Sequence, residues 1–501
     1  MPAPGNIPAY DLRGQNDTAL SGFRARDTRG RGVGSFQGTD TRSNATVIAQ
    51  YNAGKRSSLD VLKVTASLLS QPGSFETTMN LFRTVQKAGI RPSLIAYNAA
   101  ISACVKAGRA DEALGLLEEL NALATQDPSM RMDLATYNAA ISACGNAGRP
   151  DQALALLADL KAQMRTDASM RPNVITYNAA ISACAKAGRA DEALGLMGEL
   201  KALAIRPSVM TYTAAISACA KAGRGTEAAK LLAELQGLAE HDASMHPNVV
   251  TYTAAISAWE AQGEADEALK LFGELKTLAR QNQAMHPNVL TYTAAVSACG
   301  RAGRANEALA LLQELKVLAR RDRSMQPDII VYNAAILACA KANRLSEALG
   351  LLEEARALAA NDTPASHEAI AYSVTISACT NAKRAEEAHR LVGQAIQDGV
   401  FRASAGYDAA TNTLDFHADR VFLNPPPSVR PKGIAATLAV ALLNYHKAMG
   451  HSDGRTKYIV GQHGGNAVKN AVLAALNGEK PDLYAVSPNN PGMLVPAQPA
   501  P

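Results

Sequence analysis

Seven cysteines are the residues of this 501-residue chain whose chemistry has to be settled first, since cysteines in numbers bind metals, bridge one another or attack as nucleophiles. They stand at 104, 144, 184, 219, 299, 339 and 379, one in each copy of a recurring segment. A whole segment separates each from the next, which is too far for a shared zinc or a disulfide. The only tryptophan, Trp259, takes the cysteine's place in the one copy that lacks it, as an apolar packing position allows. The cysteines are therefore expected to be buried free thiols, which implies a reducing, intracellular compartment.

A second set is polar. In "TYNAAISACAKAGRADEAL", residues 176–194, the residue after the tyrosine varies from copy to copy while its neighbours hardly change. It is Asn98, Asn138, Asn178, Thr213, Thr253, Thr293, Asn333 and Ser373 in turn. Small hydrogen-bonding side chains at a fixed place in a constant framework suit recognition, although Asn or Thr near a helix start is also an ordinary cap.

The framework must position these residues, and its period says how. The tyrosines lie at 97, 137, 177, 212, 252, 292, 332 and 372, in steps of 40 with a single step of 35. Such a period signals a solenoid. Within a copy, Tyr177, Ile181 and Cys184 share one face of a first helix that ends at Gly188. A second helix starts near Asp191 and Glu192 and carries its apolar face through Ala193, Leu196, Met197, Leu200 and Leu203. One hairpin cannot cover its own apolar stripe, so copies must stack. Residues 59–93 and 369–403 read as degenerate end copies, for nine units in all, six lengthened to 40 residues by inserts such as "TDASM".

Outside the array, residues 1–58 are rich in Gly, Ser, Arg and Asp without a hydrophobic period, and disorder is expected there. The start of the chain lacks a signal peptide's apolar core, and Asp11, Asp17 and Asp27 interrupt what would be a transit helix. The longest apolar run, 434–443, is too short for a membrane span, so a soluble protein with no membrane partner is expected. The net charge of +5 comes from the two ends, and the array is near neutral. A polyanion site on the array therefore requires charge segregated onto one face.

The segment "VITYNAAISACAKAGRADEALGLMGELKALAIRPS", 174–208, resembles a pentatricopeptide repeat in length and framework, and the resemblance covers residues 59–403. It implies a mainly α fold, a right-handed α-solenoid of about nine helical hairpins with no cofactor in the array. It also implies binding of single-stranded RNA at about one base per repeat. The family reads bases with the fifth and last residues of a repeat, and an apolar second residue wedges between bases. The second positions here are Ile95, Ala135, Ile175, Met210, Val250, Leu290, Ile330 and Ile370. The reading pairs are Asn98 with Asp133, Asn138 with Asn173, Asn178 with Ser208, Thr213 with Asn248, Thr253 with Asn288, and Thr293 with Asp328. Asn333 pairs with Glu368, a combination to which no letter is assigned.

A carboxylate accepts the ring N–H of uracil or guanine, whereas Asn or Ser can donate to the ring lone pair of cytosine or adenine. With a longer Asn reaching a pyrimidine and a shorter Thr leaving room for a purine, the pairs spell U, C or U, C, A, A, G. Lys106, Lys186, Lys221, Arg301 and Lys341 at the thirteenth positions, with Arg109, Arg189, Arg224, Arg304 and Arg344 at the sixteenth, line up as a basic stripe. The stripe is a track for phosphates or a set of cations answering helix-end carbonyls. Ala261 and Glu264 leave a gap in it. The competing class is a scaffold that holds a protein partner's peptide, for helical stacks serve both.

Residues 404–501 change pattern to a small α/β domain. Strands are expected in "TNTLDFHA", "TKYIVGQHGG" and "DLYAVSPNNPGMLVP", and helices in "IAATLAVALLNYHKAMG" and "NAVKNAVLAALNG". Leu414, Asp415, Phe416 and His417, with the glycine loop and helix of 459–472, resemble the small MutS-related (Smr) domain. That resemblance implies nucleic-acid binding or metal-dependent endonuclease cleavage, with Asp415 and His417 as its catalytic pair and a divalent metal as its cofactor. Family analogy points to a mitochondrion or plastid, and the Arg- and Ser-bearing start fits equally a bacterial protein exported into a host cell.

Overall fold

The computed structural model describes residues 75–359, 365–402, 407–408, 413–416, 421, 436–449, 456–459, 466–477, 484–487 and 490–496. Residues 1–58 and the first helix expected in the opening copy lie outside them. The described chain divides into two compact units, the first ending at Pro247 and the second beginning at Asn248.

The first unit holds α1 (Phe75–Lys87), α2 (Leu94–Lys106), α3 (Ala110–Ala124), α4 (Leu134–Asn146), α5 (Pro150–Gln163), α6 (Val174–Ala187), α7 (Ala190–Ala202), α8 (Val209–Ala222) and α9 (Gly225–Ala239). The second continues with α10 (Val249–Gln262), α11 (Ala265–Gln281), α12 (Val289–Ala302), α13 (Ala305–Ala319), α14 (Ile329–Lys341), α15 (Leu345–Ala359), α16 (Ala365–Asn381) and α17 (Ala385–Gln397). Within each unit the first helix of a hairpin packs on its own second helix and on the first helix of the following hairpin.

The sequence sets these boundaries by local chemistry. The residue before each first helix caps it: Ser93, Asp133, Asn173, Ser208, Asn248, Asn288 and Asp328 each accept a hydrogen bond from an amide of the first turn. The helix stops where Gly188, Gly223 and Gly303 turn left-handed, at φ between 69° and 72°. Asn343 and Lys383 hold the same turn at φ 57° without a glycine's freedom.

Each framework tyrosine is buried and has a partner. Tyr177 donates to Glu199 at 2.9 Å, Tyr212 to Glu234 at 2.6 Å and Tyr292 to Glu314 at 2.7 Å, always 22 residues on. The same carboxylates receive an ammonium from the preceding hairpin, Lys161 at Glu199, Lys201 at Glu234 and Lys276 at Glu314. Tyrosine, acid and lysine thus tie one hairpin to the next. Burial, and then the hydrogen bond to the acid, hold these phenols well above their ordinary pKa.

The cysteines are buried as expected, and burial pushes the thiols of Cys104, Cys219, Cys299 and Cys379 up to about 11. They are packing residues with little thiolate at neutral pH. First helices approach closely enough that a Cβ on Gly300 would stand 2.6 Å from the carbonyl oxygen of Ala334. Leu203 departs from expectation. Helix α7 ends at Ala202, and Leu203 lies just past it, 42% exposed.

Five of the six five-residue inserts lie among the described residues. Each of these folds into one short 3₁₀ turn, whose preceding Asp127, Asp167, Asp242, Asn282 or Asp322 accepts from the amide two residues on at 2.8–3.0 Å. Met130, Met170, Met245 and Met285 close four of these turns and are buried. The insert thus ends by placing a methionine in the core before the cap of the next helix.

In the second unit the repeats run into an α/β region: β1 (Tyr407–Asp408), β2 (Thr413–Asp415), α18 (Ala436–Ala448), β3 (Lys457–Ile459), α19 (Asn466–Asn477), β4 (Tyr484–Ser487) and β5 (Asn490–Pro496). The sheet order is β1-β2-β3-β5-β4. β2 and β3 are parallel, which needs a crossover that α18 supplies, and the other neighbours are antiparallel. The single strand expected over 482–496 is instead two strands that pair antiparallel, Tyr484–Ser487 with Asn490–Pro496. Helix α18 packs on α16 and α17, with the Tyr445 ring 4.8 Å from that of His389. One continuous core joins this region to the last hairpins.

Candidate nucleic-acid interface

The start of each first helix assembles the polar pairs. Asn98, on α2, donates from Nδ2 to Asp133 at 3.1 and 3.3 Å, and Asp133 caps α4 through the Thr136 amide at 2.8 Å. Asn178 donates to Ser208 Oγ at 3.3 Å. Fifth and last residues 35 or 30 positions apart are thereby neighbours. The caps are the last residues, Asp133 and Ser208, and not the fifth residues: Asn98 and Asn178 lie within their helices, so the cap expected of Asn or Thr there is not found.

The remaining pairs differ. Asn173 caps α6 through two amides, and Asn138 Oδ1 is buried without a hydrogen-bond partner among the described residues. Thr213 is buried in the first unit, whereas Asn248 caps α10 in the second. Thr253, only 1% exposed, is hydrogen-bonded to Thr291 at 2.7 Å, while Asn288 is exposed. Thr293 turns to its own helix, donating to Val289 O at 2.8 Å, and the exposed Asp328 caps α14 through Ile330 and Val331. Asn333 is buried at 9% exposure.

Beside these pairs the second positions put apolar side chains into solvent. Ile95 is 56% exposed, and Ile175, Met210 and Leu290 are exposed as well. Exposed large apolar residues thus recur at the same place in four of the hairpins, three in the first unit and one in the second.

The basic stripe is tied into the stack. Lys221 donates to Lys186 O at 2.7 Å, Lys341 to Arg301 O at 2.5 Å, and Lys186 to the side chain of Asn146. Lys221 and Lys341 thus answer helix-end carbonyls of the preceding hairpin, and burial, with Lys221 nearby, lowers the pKa of Lys186. Arg189, Arg224 and Arg304 pair with Asp151, Asp191 and Asp266 one hairpin back. Arg344 reaches Asn306, and Arg109 pairs with Glu112. Arg301 holds Glu260, whose pKa burial raises against the pull of that guanidinium. Lys106 is exposed.

Of the C-terminal candidates, Asp415 ends β2 and is half-buried, and His417 lies outside the described residues. No group of three His, Cys, Asp or Glu side chains suited to a metal occurs among the described residues. No described helix is long and apolar enough to cross a membrane.

One class of residue escaped the sequence reading: the threonine at the third position of a repeat, Thr136, Thr176, Thr211, Thr251 and Thr291, fully buried at every site. Its hydroxyl meets the cap three residues before it, as in the capping boxes of Asp133 with Thr136 and Ser208 with Thr211. The Asp/Asn/Ser-x-x-Thr spacing was the available signal.

Family comparison agrees with the repeat. Residues 95–122, 210–238, 290–318 and 330–358 match the PPR repeat, 124–187 and 241–302 the pentatricopeptide repeat domain, and 172–221 the PPR repeat family. Among solved structures, the chain is similar to the pentatricopeptide repeat protein PPR10 from maize, at 20% identity and a TM-score of 0.45 over 88% of this chain. It spans 59% of the length of that protein. The same protein in complex with an 18-nt psaJ RNA element matches at 20% identity and a TM-score of 0.31, covering 87% of this chain and 63% of the other. No curated protein matches the sequence.

Proposed function

Since the matched segments make this chain a pentatricopeptide repeat protein, we propose that it binds single-stranded RNA in a sequence-selective way, with U, C or U, C, A, A, G read 5′ to 3′ from the first repeat. The observation that carries the reading is the juxtaposition at the helix starts. A polar pair such as Asn98 with Asp133 stands beside an exposed apolar second residue, Ile95, and the motif recurs at Asn178, Ser208 and Ile175. Stacking on the apolar step supplies affinity that every base shares, and the polar pair meets the pairing edge. By holding a short segment the protein would alter the stability, processing or translation of its RNA.

The basic residues are assigned a second duty as phosphate contacts. Some of their present partners are surface carboxylates, as Glu112 is for Arg109, and such surface ion pairs exchange at little cost, whereas Arg301 is held by the largely buried Glu260. The test is a gel shift with UCCAAG against a shuffled RNA of equal composition. Preference for UCCAAG is expected; equal binding of the two, or binding of peptides with no RNA affinity, would overturn it.

A further inference from the structure

We infer that the buried threonine at the third position of a repeat is a specificity-determining positioning residue: it fixes how the fifth residue of the preceding repeat presents itself to a base. This rests on the RNA-reading proposal and adds a third member to the reading pairs that a threonine hydroxyl bridges.

The geometry is clearest around Thr211. Its hydroxyl lies 2.6 Å from Asn178 Oδ1 and 3.0 Å from Ser208 Oγ, and Asn178 Nδ2 lies 3.3 Å from Ser208 Oγ. Donors and acceptors close into a ring: the Asn178 amide donates to Ser208, Ser208 to Thr211, and Thr211 to the Asn178 carbonyl oxygen. The ring settles which end of the Asn178 amide faces inward, and mutual polarisation strengthens it. Thr136 stands in the same way, 2.6 Å from Asn98 Oδ1, while Asn98 Nδ2 donates to Asp133. At Thr291 the chain is linear, from the Thr253 hydroxyl at 2.7 Å to Thr291 and on to Asn288 Oδ1 at 2.9 Å. Because Oδ1 of Asn288 also takes the Thr291 amide, its Nδ2 is the end left to meet a base.

Two repeats act as internal controls. Where Val331 replaces the threonine, the preceding fifth residue, Thr293, turns away to Val289 O, and nothing joins it to Asp328. At Asn173, Thr176 gives its hydroxyl to the cap at 3.3 Å, and Asn138 Oδ1 has no hydrogen-bond partner among the described residues. The third residue joins fifth to last only where it carries a hydroxyl and the fifth side chain lies within hydrogen-bond reach of that hydroxyl. The second pair is then the site where the fifth residue's carbonyl oxygen is not held, in keeping with its two-letter reading of C or U.

The experiment compares the full chain with Thr211→Val and Thr211→Ser on four RNAs that differ only at the third letter, with thermal unfolding recorded for each variant. Loss of one bridging hydrogen bond predicts that Thr211→Val reduces the preference for C at that letter about fivefold, with the other letters unaffected. Thr211→Ser keeps the hydroxyl and is expected to keep the preference. Val331→Thr, which removes no existing hydrogen bond, is expected to sharpen discrimination at the sixth letter. Unchanged third-letter selectivity in Thr211→Val, or an equal loss at every letter, overturns the inference. If the parent protein discriminates at no letter, the RNA-reading proposal itself fails and this inference falls with it.

Discussion

Asn288→Asp turns one letter of the proposed readout without disturbing the fold, and its size follows from the geometry. Asn288 caps α12 with Oδ1, which takes the Thr291 amide at 3.0 Å and the Thr291 hydroxyl at 2.9 Å. That duty commits the oxygen and leaves the Nδ2 donor for the fifth base, read as A. Aspartate caps as well as asparagine, and its charge suits a helix N-terminus, so stability is expected within about 0.5 kcal/mol of the parent. The second oxygen, however, replaces a donor by a charged acceptor. Asp328 already holds this arrangement after Thr293, with Oδ1 on the Ile330 and Val331 amides.

Guanine N1–H then gains a charge-assisted hydrogen bond of about 1.5–3 kcal/mol, and adenine N1 faces a carboxylate. The preference at the fifth letter should pass from A to G by roughly 10- to 100-fold. Fluorescence anisotropy on UCCAAG and UCCAGG reads it directly. A variant that melts like the parent and still prefers A would refute the reasoning, since the cap would be intact and the base indifferent to it.

Close approach of the first helices predicts that Gly300→Ala, with its Cβ 2.6 Å from Ala334 O, lowers the unfolding midpoint through about 1–3 kcal/mol of overpacking. Gly273→Ala, where the new Cβ meets open space, should stabilise its helix by about 0.5–1 kcal/mol. Lys383→Gly is expected to stabilise the chain by about 0.5–1 kcal/mol in chemical denaturation, because φ 57° strains a side chain that glycine lacks. Burial raises the carboxyl pKa values of Glu234 and Glu314, but hydrogen bonds from Lys201 with Tyr212 and from Lys276 with Tyr292 outweigh it and leave them below 4.5. Their contribution is complete above that value and lost as pH falls through the depressed one, so thermal scans from pH 7 to 3 should show declining stability, less steeply in Lys276→Gln. If the C-terminal region cleaves bound RNA through the proposed pair, Asp415→Asn with His417→Ala abolishes metal-dependent cleavage and spares binding; cleavage that persists removes both residues from that role.

The repeat period, the two-helix unit, the glycine stops and the buried cysteines were all legible in the chain, because each is enforced within one or two turns of helix and then copied. Tyr177, Ile181 and Cys184 share a face by spacing alone. Their burial follows once copies stack. Leu203 reads as core by the same periodicity and is exposed, since a helix end is set by chain geometry that an apolar pattern does not encode.

What the sequence alone determined is therefore the unit and the identities of the residues it varies: Asn, Thr and Ser at the fifth place, Asp, Asn and Ser at the last. Only tertiary structure decided what those residues touch. The last residue is a cap because the next helix begins there, and the stripe cations are engaged because the preceding hairpin brings Asp151, Asp191 and Asp266 to them. The third-position threonine bridges a pair only where stacking sets its hydroxyl 2.6–2.7 Å from a side chain one repeat away. Hydrogen bonds fall off within a few tenths of an ångström, and distances that fine across 33 to 38 residues are fixed by packing.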